Sequence, residues 1–146
     1  MSLGEQRPQR NRLRGSTDPE ALLEQLAAEG FSGALSKRFS DDLWVYGFDV
    51  LRGMVRTGSI DKVNTGTAHG TIGPEDRRLL HESAPERDAL VVDTLVRTVP
   101  AFIKGLRRGN WRSAGGASLE TYLIGACARR FWDVTPAGQE HAGVTY

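Results

Sequence analysis

A chain of 146 residues with 39% hydrophobic and 25% charged side chains suits one packed domain and argues against wholesale disorder. No run reaches the roughly 18 to 20 apolar residues that a bilayer demands, and the N-terminus lacks the apolar stretch of a signal peptide. A soluble, cytoplasmic protein with no membrane partner is therefore expected. The net charge of +1 divides unevenly: residues 1–16 carry +3, residues 17–99 carry −5 and residues 100–134 carry +4, with Glu140 supplying the remaining −1. Such a division suits two partners of different character, one of them a polyanion, although solvated faces produce charge clusters too.

Residues 1–16 are Arg-rich and aperiodic, which predicts a disordered basic arm. Thr17-Asp18-Pro19-Glu20 opens a first helix, with Leu22, Leu23 and Leu26 on its apolar face and Gly30 as its stop. A second helix is expected from about Ala34 to Thr57, ended by Gly58. Its apolar band has two stripes, Leu43–Val50–Met54 and Trp44–Phe48–Leu51–Val55, so it should pack on two neighbours. Gly47 and Gly53 in that helix suggest close helix approach.

Residues 58–73 are turn-rich and read as a loop, followed by a short helix from Pro74 to about His81. A long helix then begins near Pro85, with Val91, Val92, Leu95, Val96, Val99, Phe102, Ile103 and Leu106 on one broad face. Asp93 and Arg97 should face outward from it, and Pro100 should kink or divide it. After a connector from Trp111 to Gly116, Ser118 caps a last helix with apolar positions Leu119, Tyr122, Leu123, Ala126 and Cys127. Residues 135–146 read as a flexible tail. No segment alternates with period two, so the fold class is all-α.

Little here suggests catalysis. His69, His81 and His141 stand without metal-ligand spacing, and no phosphate-cradling loop or nucleophile elbow is present. Cys127, the single cysteine, excludes an internal disulfide and reads as a small buried hydrophobe. Asp41-Asp42 and Glu75-Asp76 are adjacent carboxylates expected at or near helix N-termini, where acids suit the helix dipole. No metal, no cofactor and no enzymatic activity are expected.

Two stretches carry a family resemblance. Gly116-Ala117-Ser118-Leu119-Glu120-Thr121-Tyr122-Leu123-Ile124 resembles the segment of bacterial sigma factors that opens the DNA-facing helix of region 2. Asp88-Ala89-Leu90-Val91-Val92-Asp93-Thr94-Leu95-Val96-Arg97 resembles the helix before it, and Leu43–Val55 falls where the family has its first core helix. The run Thr121-Tyr122-Leu123-Ile124-Gly125-Ala126-Cys127 is similar to divergent actinobacterial, extracytoplasmic-function-like members. The resemblance covers about residues 40–134 and implies a sigma region 2-like helical bundle, here within residues 17–134.

It also implies a role in transcription initiation. Core RNA polymerase would be met through a coiled coil of its largest subunit, promoter minus-ten DNA through the last helix, and an anti-sigma factor is a further implied partner. By position, Asp93, Arg97, Leu90 and Val96 would form the polymerase face. Arg112, Ser118, Thr121, Tyr122, Arg129, Arg130 and Trp132 would lie on or near DNA. Arginines neutralise phosphates and aromatics stack on unpaired bases, and Trp111, Tyr122, Phe131 and Trp132 are interleaved with Arg112, Arg129 and Arg130. Core packing accounts equally for Tyr122, Phe131 and Trp132.

The chain departs from the family in a longer insertion at residues 58–85 and in a basic run that stops at Thr135-Pro136. No second helix-turn-helix domain is legible after it, so a fragment or a reduced homologue is expected. The rival readings are a helical protein-interaction module that kept the fold without promoter recognition, and a small enzyme using Asp93, Glu120 or His81.

Overall fold

A computed structural model describes residues 18–63, 73–112, 115, 116 and 118–135. These form six α-helices and no strand: α1 (Pro19–Ala28), α2 (Ala34–Thr57), α3 (Ile60–Val63), α4 (Pro74–Glu82), α5 (Ala84–Arg107) and α6 (Leu119–Val134). The fold is all-α. The basic arm at 1–16, most of the predicted loop (64–72) and the tail from 136 onward lie outside the described residues, as do His69 and His141.

Local chemistry sets the helix ends. The Asp18 carboxylate accepts from the Ala21 amide at 3.2 Å, and the Ser118 hydroxyl accepts from the Thr121 amide at 3.1 Å. Ser83 caps α5 by accepting from the Glu86 amide. Gly58 ends α2 with φ at 82°, a left-handed conformation that a side chain would oppose.

The heart of the domain is α2, α5 and α6. Phe39, Leu43, Gly47, Leu51 and Val55 form the buried line of α2, one residue per turn. This line draws from both predicted stripes, and Trp44, Phe48, Val50 and Met54 are its half-buried flanks. A β-carbon at Gly47 would meet Leu95 Cδ2 at 2.7 Å, so glycine permits the close approach of α2 and α5 there. With Arg52 paired to Asp88 at 3.2 Å, that contact sets the two helices antiparallel. α6 returns along α5, with the Phe102 and Tyr122 rings 5.5 Å apart and Thr98 within hydrogen-bonding reach of Cys127. α1 lies on α2, α3 joins α2 to α6, and α4 braces α2 and α5.

Several expectations need correction. On α5, Val92 and Val96 are exposed at 42% and 55%, while Thr94 and Thr98 are fully buried. The buried arc is rotated because threonine can bury its hydroxyl by donating to the fourth carbonyl back: Thr94 to Leu90 O at 2.8 Å and Thr98 to Thr94 O at 2.7 Å. Leu95 and Val99 are buried as expected, whereas Ile103 is half-buried at the edge of the arc. Pro100 does not divide α5; it sits on the exposed side of one continuous helix, where the carbonyl it leaves without a donor can meet water. The predicted loop at 58–73 contains α3, anchored by the fully buried Ile60. Asp41 and Asp42 lie in the third turn of α2 rather than at its start, and Glu75 and Asp76 do open α4.

Candidate functional site

The outward face of α5 is built from residues three and four apart. Val92 and Val96 stand one turn from each other, and Asp93 and Arg97 run beside them, joined Oδ1 to Nε at 3.2 Å. Both charges are about half exposed, so this pair adds little stability and is free to re-pair with a partner. Leu90, half-buried, borders the same face. The antiparallel register set by Gly47–Leu95 and Arg52–Asp88 puts Phe48 level with Val92 and Trp44 near the level of Val96. The Arg52 guanidinium lies 5.9 Å from the centre of the Phe48 ring. Apolar groups thus border the seam between α2 and α5, with the Arg52–Asp88 pair at one end.

α6 presents a second face. At about 100° per residue, Thr121, Tyr122, Gly125, Arg129 and Trp132 fall within one arc, a strip roughly 16 Å long. Thr121 and Arg129 are exposed, and Tyr122 and Trp132 half-buried. Arg130 lies off this strip, half-buried and close enough to Cys127 to act on its thiol. Ser118 is exposed, but its hydroxyl is engaged with the Thr121 amide and, at 3.0 Å, the Thr121 hydroxyl. Arg112 is exposed in the connector before α6.

Two of the four interleaved aromatics are structural. Trp111, in the connector, and Phe131, on the inner arc of α6, are both buried in the main cluster. Tyr122 packs on Phe102 and keeps only part of its ring exposed.

Cys127 is buried, and burial pushes its thiol up to about 12 despite the opposing Thr98 and Arg130. It should resist thiol reagents in the folded protein and react on unfolding, as dithionitrobenzoate absorbance would register. A thiol held protonated when folded ionises first in the unfolded chain. This contribution to stability should therefore fall as pH rises above the ordinary thiol value of 9.0. Denaturant midpoints across that range, with and without Cys127→Ala, are the check. Burial, and then Glu120, raise the Tyr46 phenol.

No group of three or more metal-ligating side chains occurs among the described residues. The His81 Nδ1–H donates to the Arg56 carbonyl at 2.9 Å. Arg87 escaped the sequence reading. It is only 7% exposed and donates from one Nη to the Leu80 and His81 carbonyls at 2.9 and 3.0 Å, closing the end of α4. Its position one turn before Val91 on the buried line was the available signal. No described helix is long and apolar enough to cross a membrane. Comparisons with protein-family models, curated proteins and solved structures find no match for this chain.

Proposed function

We propose that this chain is a transcription-initiation domain of the sigma region 2 kind, docking on core RNA polymerase through α5 and meeting promoter DNA through α6. One observation carries the reading. Val92 and Val96 are exposed, one turn apart, on a helix whose other aliphatic residues are largely withdrawn, and they flank the Asp93–Arg97 pair. An apolar pair beside a weak surface ion pair is the composition of a docking face, and it falls on the segment that resembles the polymerase-binding helix. The α6 strip adds Arg129 for phosphate and the partly exposed Tyr122 and Trp132 for bases.

Co-purification with core RNA polymerase tests the reading. The Val92→Asp/Val96→Asp double variant should keep its thermal stability, since surface changes cost about 0.5 kcal/mol or less each. Its polymerase affinity should drop by more than about tenfold, the loss typical of a central apolar contact. A wild-type chain that does not co-purify refutes the proposal, and undiminished binding of the double variant refutes the α5 assignment.

The burial of Trp111 and Phe131 favours a second reading, a module that binds protein alone. Oligonucleotide affinity that is weak and independent of salt would select it.

A further inference from the structure

A cleft between the end of α2 and α4 is lined, among the described residues, by Arg56, Thr57, Pro74, Arg77, Arg78 and His81. Three guanidinium groups and an imidazole line it, and no carboxylate does. On α4 the lining residues 74, 77, 78 and 81 share one stripe about 100° wide. Glu75, Asp76 and Glu82 lie off that stripe, so the acids of α4 are displaced from the cleft.

Two contacts shape this wall. Arg77 is paired with Asp61 of α3, and its guanidinium reaches the turn at Gly58, where an added β-carbon would come within 3.0 Å of Nη1. The hydrogen bond from His81 to the Arg56 carbonyl ties α4 to the last turn of α2. Because a carbonyl only accepts, Nδ1 carries the proton of that bond, which leaves Nε2 as the other polar atom of the ring. With Arg77 matched by Asp61, the surplus charge of the cleft comes from Arg56 and Arg78, both exposed and one on each wall.

The geometry points to a binding site for a phosphodiester of a nucleic-acid backbone. Guanidinium forks suit phosphate oxygens, and exposed arginines on the two walls of a surface cleft suit a group carried on a chain passing over it. The site is distinct from the α5 and α6 faces, and it stands whether or not those faces act as proposed. A cation in the last turn of α2 also favours the helix dipole. That purpose covers Arg56 and, in the last turn of α4, His81, and leaves Arg78 on the facing wall unexplained.

The full chain is titrated with fluorescent single- and double-stranded oligonucleotides at several salt concentrations, and separately with inorganic phosphate as competitor. The variant is Arg56→Gln/Arg78→Gln, whose two positions are exposed and outside the Arg77–Asp61 pair, and whose thermal melt should match wild type. Oligonucleotide affinity should fall, and the slope of log Kobs against log salt should shrink by roughly 0.7 to 0.9 for each arginine removed. Arg129→Gln on α6 serves as the comparison, and its loss should add to that of the cleft variant because the sites are separate. Failure of Arg129→Gln alone would speak against the α6 face; a wild-type slope in the cleft variant would overturn the cleft. A cleft that loses phosphate competition while oligonucleotide binding is unchanged would take free phosphate only, and a wild-type chain that binds no oligonucleotide would overturn the assignment as well.

Discussion

Phe131→Ala should lower the stability of the fold by about 3–5 kcal/mol, the usual cost of emptying a buried phenyl site. Phe131 is 1% exposed, the largest of the fully buried side chains, and belongs to the main hydrophobic cluster. The loss approaches the 5–15 kcal/mol total of an ordinary domain, so Phe131→Leu, which leaves a smaller void, is the companion variant. Urea unfolding should show Leu between wild type and Ala. Oligonucleotide affinity per folded molecule should be the same in wild type and Phe131→Leu, because the ring faces inward while Arg129 of the α6 strip is exposed. A stability change below about 1 kcal/mol in Phe131→Ala, with selective loss of single-stranded DNA binding, would return this ring to the interface.

Arg87→Met should cost about 2–3 kcal/mol, and here two large effects oppose each other. Hydrogen bonds from a charged donor are worth about 1.5–3 kcal/mol each, and Arg87 makes two, to the Leu80 and His81 carbonyls. Against them stands the desolvation of a guanidinium whose Nε finds no partner among the described residues. The bonds should win because methionine would leave the Leu80 carbonyl, at a buried position, without its donor. Hydrogen exchange should locate the damage, with protection falling first over α4 and the start of α5. Equal or greater stability of Arg87→Met would mean that desolvation dominates. The Arg56–His81 bond would loosen along with α4, so the nucleic-acid binding proposed for the cleft should weaken in this variant as well.

Much of the fold was legible in the chain because its signals are local. Asp18, Ser83 and Ser118 cap helices through their own side chains, and Gly58 ends α2 because few other residues tolerate its φ. Periodicity of 3.6 residues then marks the helices between those ends. What periodicity cannot resolve is the edge of a wide apolar band. Val92 and Thr94 are equally eligible by position, and valine is the more apolar, yet the threonine is buried. Packing decided this: α6 covers the threonine side of α5, where each hydroxyl finds its own carbonyl, and the valines are left on the open side.

The site divides in the same way. The sequence by itself determined that Asp93 and Arg97 face outward, since helical spacing sets them opposite Val91, Leu95 and Val99. It also set Arg129 and Arg130 about 100° apart on α6. The same spacing puts Arg129 on one strip with Tyr122 and Trp132; only the tertiary structure decided that this strip stays at the surface while Arg130 turns toward Cys127. Tertiary packing alone took Trp111 and Phe131 into the core, and it alone brought Arg56 to Arg78 and His81 across more than twenty residues. A helix repeats its faces every few residues, so the chain determines each face; which face meets another helix depends on how six of them share one limited interior.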